Sequence, residues 1–376
     1  MYLKGDKQDW SKIYAMFRLL VDNGMAMGTI DLVAKKDSFK QLIKITRDIL
    51  NGQLIIIRDN ESVIVQTIAK PKTDIGPQED IYLPEEKTIS IPISEIERLS
   101  ILLLDKCIKE KGDFECEEVE TILQRMQIYD FTSESSTGET FQAIFYNSQL
   151  DCQEYYPIRV CPLLGKLYLV AANRASNFKY DITQVRLANP EANKINGIGD
   201  DESGSLLRLA EIDRLGGKLK FTSTEGKFFL NALQLIDMQL PRLLSEMVRI
   251  FYTTDKITVK AITEELNRIN LFKVKDEVIE KNRFYEYKIR QFLYAAACGL
   301  KPTKVWRGNG LFHLHLMVTP IGELLAYNPV EKEQFEKFLF ANTRLSLANE
   351  TKNKYGIVEK ENGQWLIKLN LEMRFC

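Results

Sequence analysis

Three strand-like runs that follow one helix constrain the fold more than any other feature of this sequence. The runs are FQAIFYN (141–147), YYPIRVC (155–161) and LYLVAAN (167–173), and they follow a helix predicted over 116–127 and a polar turn at 132–140. Alternating or β-rich runs bounded by turn residues are typical of strands, whereas apolar residues recurring every three to four positions are typical of helices. The pattern therefore predicts a mixed α/β protein whose core strands are neighbours along the chain.

The same patterns divide the rest of the chain into helices, strands and loops. Ser94 and Glu97 have the spacing of a capping box, so a helix is expected to begin there and to run to about residue 109. The other predicted helices lie at 8–22, 37–50, 205–215, 226–238, from Pro241 onward, 283–298 and 331–340. The other predicted strands lie in QLIIIRD and SVIVQTIA around a turn at Asp59–Asn60, in KLKFTS, and at 304–307, 311–318, 321–327, 356–360 and 364–374, with loops at 70–90 and 190–204.

Composition limits the cellular setting and the cysteine chemistry. No apolar run approaches the roughly 20 residues that cross a bilayer, and the N-terminus has no apolar or transit-like segment, so we expect a soluble cytoplasmic protein without a membrane partner. The six cysteines form no CxxC pair, and we therefore expect reduced structural thiols.

Charge is unevenly distributed although the net charge is only −1. Residues 105–155 hold twelve acidic and four basic residues, a balance of −8, and residues 300–376 hold eleven basic and eight acidic residues, a balance of +3. Phosphate binding needs a positive surface and not a positive total. Only the C-terminal quarter is therefore expected to offer such a surface.

The two histidines, His313 and His315, would share one face of a strand and form half of a metal site. No cysteine or carboxylate stands at ligand spacing near them, so we interpret them as strand-surface residues and predict no metal site.

Four segments resemble the HpaII-type restriction endonucleases in order and spacing. KGDKQDWSKIYAMFRLL is similar to the family's start, and LLGKLYLVAANRASNFKYDI is similar to its core segment. FFLNALQLIDMQLPRLLSEMVRIFY resembles its paired helices, and FLFANTRL followed by YGIVEKENGQWLIKLNLEMRF resembles its ending. The resemblance covers nearly the whole chain.

This resemblance implies an α/β (α+β) fold with a PD-(D/E)XK restriction-endonuclease-like core, and double-stranded CCGG as the family's target. The implied division is a helical N-terminal subdomain with some β-structure (1–110), the core (111–270) and a β-rich DNA-recognition subdomain (271–376). In such a core, acidic or polar residues on two strands hold Mg²⁺, which activates a water. A lysine two residues further along the second strand stabilises the developing negative charge.

The chain departs from the family pattern at these positions. The family's Ser-Ile-Lys-Ser strand corresponds here to Arg159–Val160–Cys161–Pro162, so the lysine position falls on Cys161. The metal-binding aspartate aligns with Thr140 or, after a small slip in register, with Gln142, and Glu139 is the carboxylate close by. Thr and Gln are poor Mg²⁺ ligands, and Cys161 carries no permanent positive charge.

Three interpretations stay open. The first is a DNA-binding pseudo-nuclease, alone or paired with an intact related subunit, that needs no cofactor. The second is an active Mg²⁺-dependent type II endonuclease in which Glu139, Asp151 or Glu154 rebuilds the site with Arg159 or Lys166 as the cation. The third is a regulatory protein that no longer touches DNA. As a DNA-binding protein the chain is expected to act as a homodimer or a heterodimer.

Polar residues from position 173 onward are the candidates for DNA contact. Each has an alternative interpretation as a turn residue or an ordinary surface cation. The candidates are Asn173, Ser176, Asn177, Arg307, Arg344, Lys352 and Lys354.

Overall fold

The computed structural model describes residues 3–49, 52–69, 87–132, 139–199, 203–308 and 310–376. The chain divides into two units, and each unit is built from two separate segments of the chain. Unit 1 comprises Met1–Leu167 and Phe312–Glu331, and unit 2 comprises Tyr168–Leu311 and Lys332–Cys376. These boundaries do not coincide with the division at 110 and 270, which stays a prediction about functional subdomains.

The strands of the described residues follow one another along the chain. They are β1 (Lys4–Gly5), β2 (Gly24–Met27), β3 (Lys40–Ile49), β4 (Gly52–Arg58), β5 (Ser62–Ala69), β6 (Thr88–Pro92), β7 (Phe114–Glu115), β8 (Phe141–Asn147), β9 (Cys152–Pro162), β10 (Tyr168–Val170), β11 (Asn177–Thr183), β12 (Lys218–Thr224), β13 (Leu314–Val318), β14 (Leu324–Tyr327), β15 (Thr343–Leu345), β16 (Val358–Glu361), β17 (Gln364–Asn370) and β18 (Met373–Phe375).

The helices lie in both units, and most of them belong to unit 2. They are α1 (Lys7–Asp22), α2 (Ile93–Lys109), α3 (Glu117–Arg125), α4 (Asn189–Asn196), α5 (Gly204–Arg214), α6 (Lys227–Ile236), α7 (Leu240–Thr253), α8 (Val259–Ile269), α9 (Asp276–Asn282), α10 (Phe284–Ala297), α11 (Lys332–Ala341) and α12 (Glu350–Asn353). The predicted mixture of helices and strands is confirmed.

Local sequence signals set the limits of α1. The Asp6 side chain accepts hydrogen bonds from the backbone N–H groups of Gln8 and Asp9, and Asn23 ends the helix in the left-handed conformation. Such an N-cap stabilises a helix by about 1 kcal/mol, and asparagine tolerates the left-handed region better than most residues. The predicted helix at 8–22 is therefore confirmed.

One nine-stranded sheet dominates unit 1, in the order β2-β14-β13-β9-β8-β3-β4-β5-β6. Strand β9 pairs antiparallel with β8 and parallel with β13, and β8 pairs antiparallel with β3. Helices α1 and α2 pack against each other and contribute to the same apolar core as this sheet. The hairpin of β4 and β5 around Asp59 and Asn60 is confirmed.

The predicted helix at 37–50 is wrong, because this segment is the strand β3 between β4 and β8. A register shift between Leu42 and Lys44 lets Leu42 and Ile45 both enter the core. A β-bulge of this kind inserts one extra residue into the strand. Two apolar side chains on the same face of the sheet are then three positions apart in the sequence, which is also the spacing of apolar residues in a helix. Asn51 and most of the predicted loop at 70–90 lie outside the described residues.

The expectation of three neighbouring core strands holds for the first two only. Strand β10 leaves the sheet of β8 and β9 and pairs with β18 in unit 2. The position beside β9 is taken by β13, which comes much later in the chain and runs parallel to β9. Pairing between segments this remote has no local sequence signal.

Three local predictions are also wrong. Helix α4 occupies much of the predicted loop at 190–204, and no strand forms at 304–307. Helix α2 begins at Ile93 after Pro92, which offers no side-chain cap, so Ser94 does not cap it. The six cysteines are free thiols, in agreement with the prediction.

Unit 2 contains two small sheets among its helices. One has the order β12-β11-β17-β16 and the other the order β10-β18-β15. Helix α7 has Pro241 in its first turn, as predicted, and its buried face includes Leu240, Leu244 and Met247. Within the described ranges no helix is long and apolar enough to cross a membrane.

Candidate active site

Strands β8, β9 and β13 present alternate side chains on two faces. Phe141, Ile158 and Leu314 belong to the apolar core of unit 1. Because strand side chains alternate, Gln142, Arg159 and Cys161, and with them His315, lie on the opposite face. We call this opposite face the polar face. His315 is the direct partner of Arg159 in the parallel register of β9 and β13.

Glu139 lies two residues before the start of β8 and is 3% exposed. Gln142 donates a hydrogen bond from Nε2 to Glu139 Oε1 at 3.0 Å, and the Thr46 hydroxyl donates to Gln142 Oε1 at 3.3 Å. His313 Nε2 lies 3.8 Å from Glu139 Oε2. These contacts turn the carboxylate of Glu139 toward the polar face.

Both histidines stay neutral near physiological pH. Burial lowers the pKa of His313, Glu139 opposes that shift, and the charge of Arg159 adds to it. Burial lowers the pKa of His315 to about 3, and the charges of Arg159 and His313 add to this effect. The earlier interpretation of these histidines as strand-surface residues is therefore wrong, since His313 is 7% and His315 3% exposed.

Cys161 and Arg159 are the two candidate catalytic residues of β9, and both lie on the polar face. Burial raises the pKa of Cys161 to about 11, so its thiol is protonated, and its Sγ lies 3.7 Å from His315 Nδ1. Arg159 is exposed and forms no ion pair with any carboxylate in the described ranges. These two positions together therefore carry one permanent positive charge and no negative charge.

Thr140 has a structural position. Its hydroxyl accepts a hydrogen bond from the Val160 N–H at 3.2 Å, and its own N–H donates to the Ile158 carbonyl at 2.7 Å. The hydroxyl is therefore used inside the β8–β9 hairpin. Of the three candidates for the acidic position, Glu139 and Gln142 lie together and Thr140 holds the two strands in register.

The acids that a relocated centre would use lie elsewhere in the hairpin. Asp151 accepts a hydrogen bond from the Tyr146 hydroxyl at 2.6 Å, and Glu154 forms an ion pair with Lys40. Glu154 is four residues before Ile158, which corresponds to about 13 Å along a strand. Lys166 is exposed and lies beyond the end of β9. The structure does not bring these residues to Glu139.

Sequence reasoning missed one carboxylate on the polar face. Asp48 follows Thr46 on β3 at the spacing that places both on the same face, and Thr46 pairs with Gln142. The carboxylates of Asp48 and Glu139 each raise the pKa of Tyr155, in addition to the larger effect of its burial. A correct assignment of β3 as a strand would have revealed Asp48 from the sequence.

The side chains present do not fit a magnesium ion. Mg²⁺ binds through carboxylate oxygens and waters, whereas on the polar face neutral histidines, an amide and an arginine accompany the carboxylates of Glu139 and Asp48. No group of three or more potential metal ligands occurs among the residues that the structure describes.

The candidate DNA-contact residues around β11 lie in unit 2 and are bonded internally. Asn173 caps a short 3-10 turn at Arg174–Ser176 through its side chain. Ser176 and Asn177 are fully buried, and Asn177 Nδ2 donates to Glu225 Oε2 and to the Asn353 carbonyl, both at 2.9 Å. This arrangement stabilises the turn, and DNA contact by these residues stays a prediction.

The candidate cations of unit 2 occupy two kinds of position. Lys352 and Lys354 are exposed at α12, whose end is tied to Asn177 through the Asn353 carbonyl. Arg307 is exposed in a segment without regular structure, and Arg344 lies half-buried on β15.

Comparison with known proteins gives one consistent result. The family model described as HpaII restriction endonuclease matches residues 6–375. The chain is 26% identical over 378 residues to the type II restriction enzyme HpaII of Haemophilus parainfluenzae, covering 100% of this chain and 99% of that protein. No solved structure matches the chain significantly.

Proposed function

This chain belongs to the HpaII restriction endonuclease family, and we propose that it is a DNA-binding protein of a restriction–modification system. We propose further that the nuclease centre of this protein is inactive. We assign its PD-(D/E)XK core to β3, β8, β9 and β13. The support is the antiparallel β8–β9 hairpin with a third antiparallel strand on one side and a parallel strand on the other.

Cys161 is the single observation that carries this proposal. A nuclease of this type needs a permanent cation at that position to stabilise the charge that develops at the scissile phosphate. The Cys161 thiol is buried and neutral, since burial raises its pKa to about 11. The neighbouring site-facing position holds Arg159 in place of a metal ligand.

Binding to duplex DNA needs neither of these lost groups. Phosphate contacts from lysine and arginine supply affinity, and contacts to base edges supply specificity. The basic residues of unit 2, among them Arg307, Lys352 and Lys354, are the proposed phosphate contacts. The proposed target is duplex DNA containing CCGG.

Two assays on the same protein preparation test the proposal. Supercoiled plasmid containing CCGG is incubated with the protein and Mg²⁺ or Mn²⁺, and a gel-shift titration is run over a range of salt concentrations. We expect no specific fragments or nicks with either metal. We also expect binding to DNA whose affinity falls as the salt concentration rises.

The control is Glu139→Gln, which keeps the size of the side chain and removes the carboxylate. Specific fragments that vanish in this variant would contradict the inactive centre. Binding that is absent at low salt would contradict the DNA-binding part and would favour a regulatory protein that does not touch DNA.

Asp48 favours one second candidate, an active endonuclease with a relocated acid. Asp48 and Glu139 both act on Tyr155 and would be the two carboxylates of such a centre, with Arg159 as its cation. Cleavage by the wild type that is lost in both Asp48→Asn and Glu139→Gln would establish this alternative.

We further propose that the protein acts as a dimer, either with itself or with an intact related subunit. A two-fold dimer matches the symmetry of a palindromic target, and a dimer with one inactive centre would nick one strand. Nicking that requires both this chain and an intact relative would support the heterodimer. Sedimentation as a monomer with and without DNA would contradict both forms.

A further inference from the structure

Two arginines of unit 2 lie directly opposite each other on neighbouring strands. Arg344 of β15 pairs with Arg374 of β18, and Tyr168 of β10 pairs with Arg374 from the other side. Thr258 forms a bridge with Arg344, so the row continues to the N-terminus of α8. The flanking residues Met373 and Leu345 are buried, and the two arginines are half-buried on the other face of this sheet.

Neither guanidinium group forms an ion pair within the described part of the chain. The Nε atoms of Arg344 and Arg374 are buried and have no hydrogen-bond partner. Glu372 lies two residues from Arg374, and the charges of both residues act on the pKa of Tyr168. The Glu372 carboxylate accepts a hydrogen bond from the Ser346 hydroxyl at 2.6 Å and forms no ion pair with either arginine. Neither arginine forms an ion pair with a described carboxylate, in contrast to the many arginines of this chain that do.

Such a pair is unfavourable unless an anion joins it. Like charges directly opposite on adjacent strands destabilise a sheet, and buried N–H donors without acceptors add to that cost. A tetrahedral oxyanion between two guanidinium groups would remove both defects, because each planar fork binds two oxygens. The positive end of the α8 dipole beside Arg344 favours the same charge.

We propose that Arg344 and Arg374 form a phosphate-binding clamp. Its ligand is one backbone phosphate of bound nucleic acid. The assignment of the phosphate to DNA rests on the proposed function, whereas the binding of an oxyanion by the clamp does not. Sequence reasoning suggested Arg344 alone, and only the pairing of β15 with β18 adds Arg374.

The first experiment measures oxyanion binding without DNA. The melting temperature of the full chain is followed in phosphate-free buffer with added inorganic phosphate. We expect a rise of about 2 °C for each tenfold increase in phosphate above the Kd. Arg344→Gln and Arg374→Gln should each abolish this rise, and Arg374→Lys should retain part of it.

Arg214→Gln is the matched control. Arg214 is an exposed arginine of unit 2 whose guanidinium already binds Glu211, so its loss should leave the phosphate effect intact. The two clamp variants should melt no lower than the wild type in phosphate-free buffer, because each removes one of two facing positive charges. A phosphate response equal in the wild type and Arg374→Gln would overturn the clamp.

The second experiment identifies the source of the phosphate. In a gel-shift series at increasing salt, we expect Arg374→Gln to weaken DNA binding about 10- to 100-fold at low salt. The slope of log affinity against log salt should decrease by about 1, and Arg214→Gln should leave both unchanged.

The two experiments separate the possible failures. In one outcome the wild type responds to phosphate and the clamp variants lose that response, while the wild type does not bind DNA. This result would support the clamp and refute the proposed function. DNA binding by the wild type that is unchanged in Arg344→Gln and Arg374→Gln overturns the assignment of the clamp to DNA.

Discussion

Unit 1 and unit 2 each bury a set of polar side chains, and the two sets differ in how closely their members are bonded. In unit 2, Arg208 Nη1 lies 2.7 Å from Glu350 Oε2, and Asn177 accepts a hydrogen bond from Asn370 Nδ2 at 2.6 Å. On the polar face of unit 1, Glu139 accepts a hydrogen bond from Gln142 at 3.0 Å, but the His313–Glu139 and Cys161–His315 contacts are longer, at 3.8 and 3.7 Å.

The difference shows what each set does for the protein. Direct hydrogen bonds between buried groups hold loops in one conformation, and their loss leaves a buried charge or amide without a partner. The histidines of unit 1 are held neutral by burial, so their main effect on folding is a dependence on pH. Four measurements test this contrast, starting with the largest expected effect.

Breaking the buried ion pair of unit 2 should have the largest effect. Glu350 and Arg208 are 3% and 5% exposed, and Glu350 Oε1 also accepts a hydrogen bond from the Ser205 N–H at 2.6 Å. Glu350→Gln leaves the Arg208 charge buried and uncompensated. The free energy of unfolding should fall by about 3–5 kcal/mol, measured by urea denaturation. A loss below about 1 kcal/mol would contradict the structural role of the pair.

Removing the amide of Asn177 should have the next largest effect. Asn177→Ala deprives Glu225, Asn353 and Asn370 of a buried partner. The free energy of unfolding should fall by about 2 kcal/mol in the same urea experiment. A variant of normal stability with much weaker DNA binding would instead show that Asn177 contacts DNA.

The pH dependence of stability tests the polar face of unit 1. The pKa of His315 is about 3 in the folded protein and 6.5 as the ordinary value. Below pH 6.5 the unfolded chain therefore binds a proton that the folded chain does not. This group thus stabilises the fold above pH 6.5, and its contribution falls by up to about 1.4 kcal/mol per pH unit on acidification.

His315→Leu supplies the control for this pH dependence. Urea denaturation of the wild type and of the variant between neutral pH and mild acid should give a shallower slope for the variant. His313, whose pKa is also lowered, should account for part of the remaining slope. Equal slopes for the two proteins would show that His315 is accessible to protons in the folded state.

The smallest effect on stability is expected for the Arg214–Glu211 ion pair, which lies at the surface of unit 2, whereas the Arg208–Glu350 pair is buried. Glu211 binds Arg214, which is 64% exposed, and solvent screens an ion pair of this kind. Glu211→Gln should change the melting temperature by less than about 1 °C. A larger change would indicate that ion pairs of unit 2 contribute to stability regardless of burial.

The sequence by itself determined the local elements and the family resemblance. The amphipathic stripe and caps of α1, the β4–β5 hairpin and strands β8 and β9 follow from apolar periodicity and turn residues. The family match confirms the resemblance over nearly the whole chain. These features depend on neighbours a few residues apart, so a single sequence contains their signals.

Only the tertiary structure decided which strands meet. The bulge in β3 made a strand resemble a helix and concealed Asp48, and the parallel pairing of β13 with β9 brought His313 to Glu139. The pairing of β15 with β18 likewise brought Arg374 to Arg344. Pairing between remote strands depends on side-chain packing across the whole sheet, which local propensity does not encode.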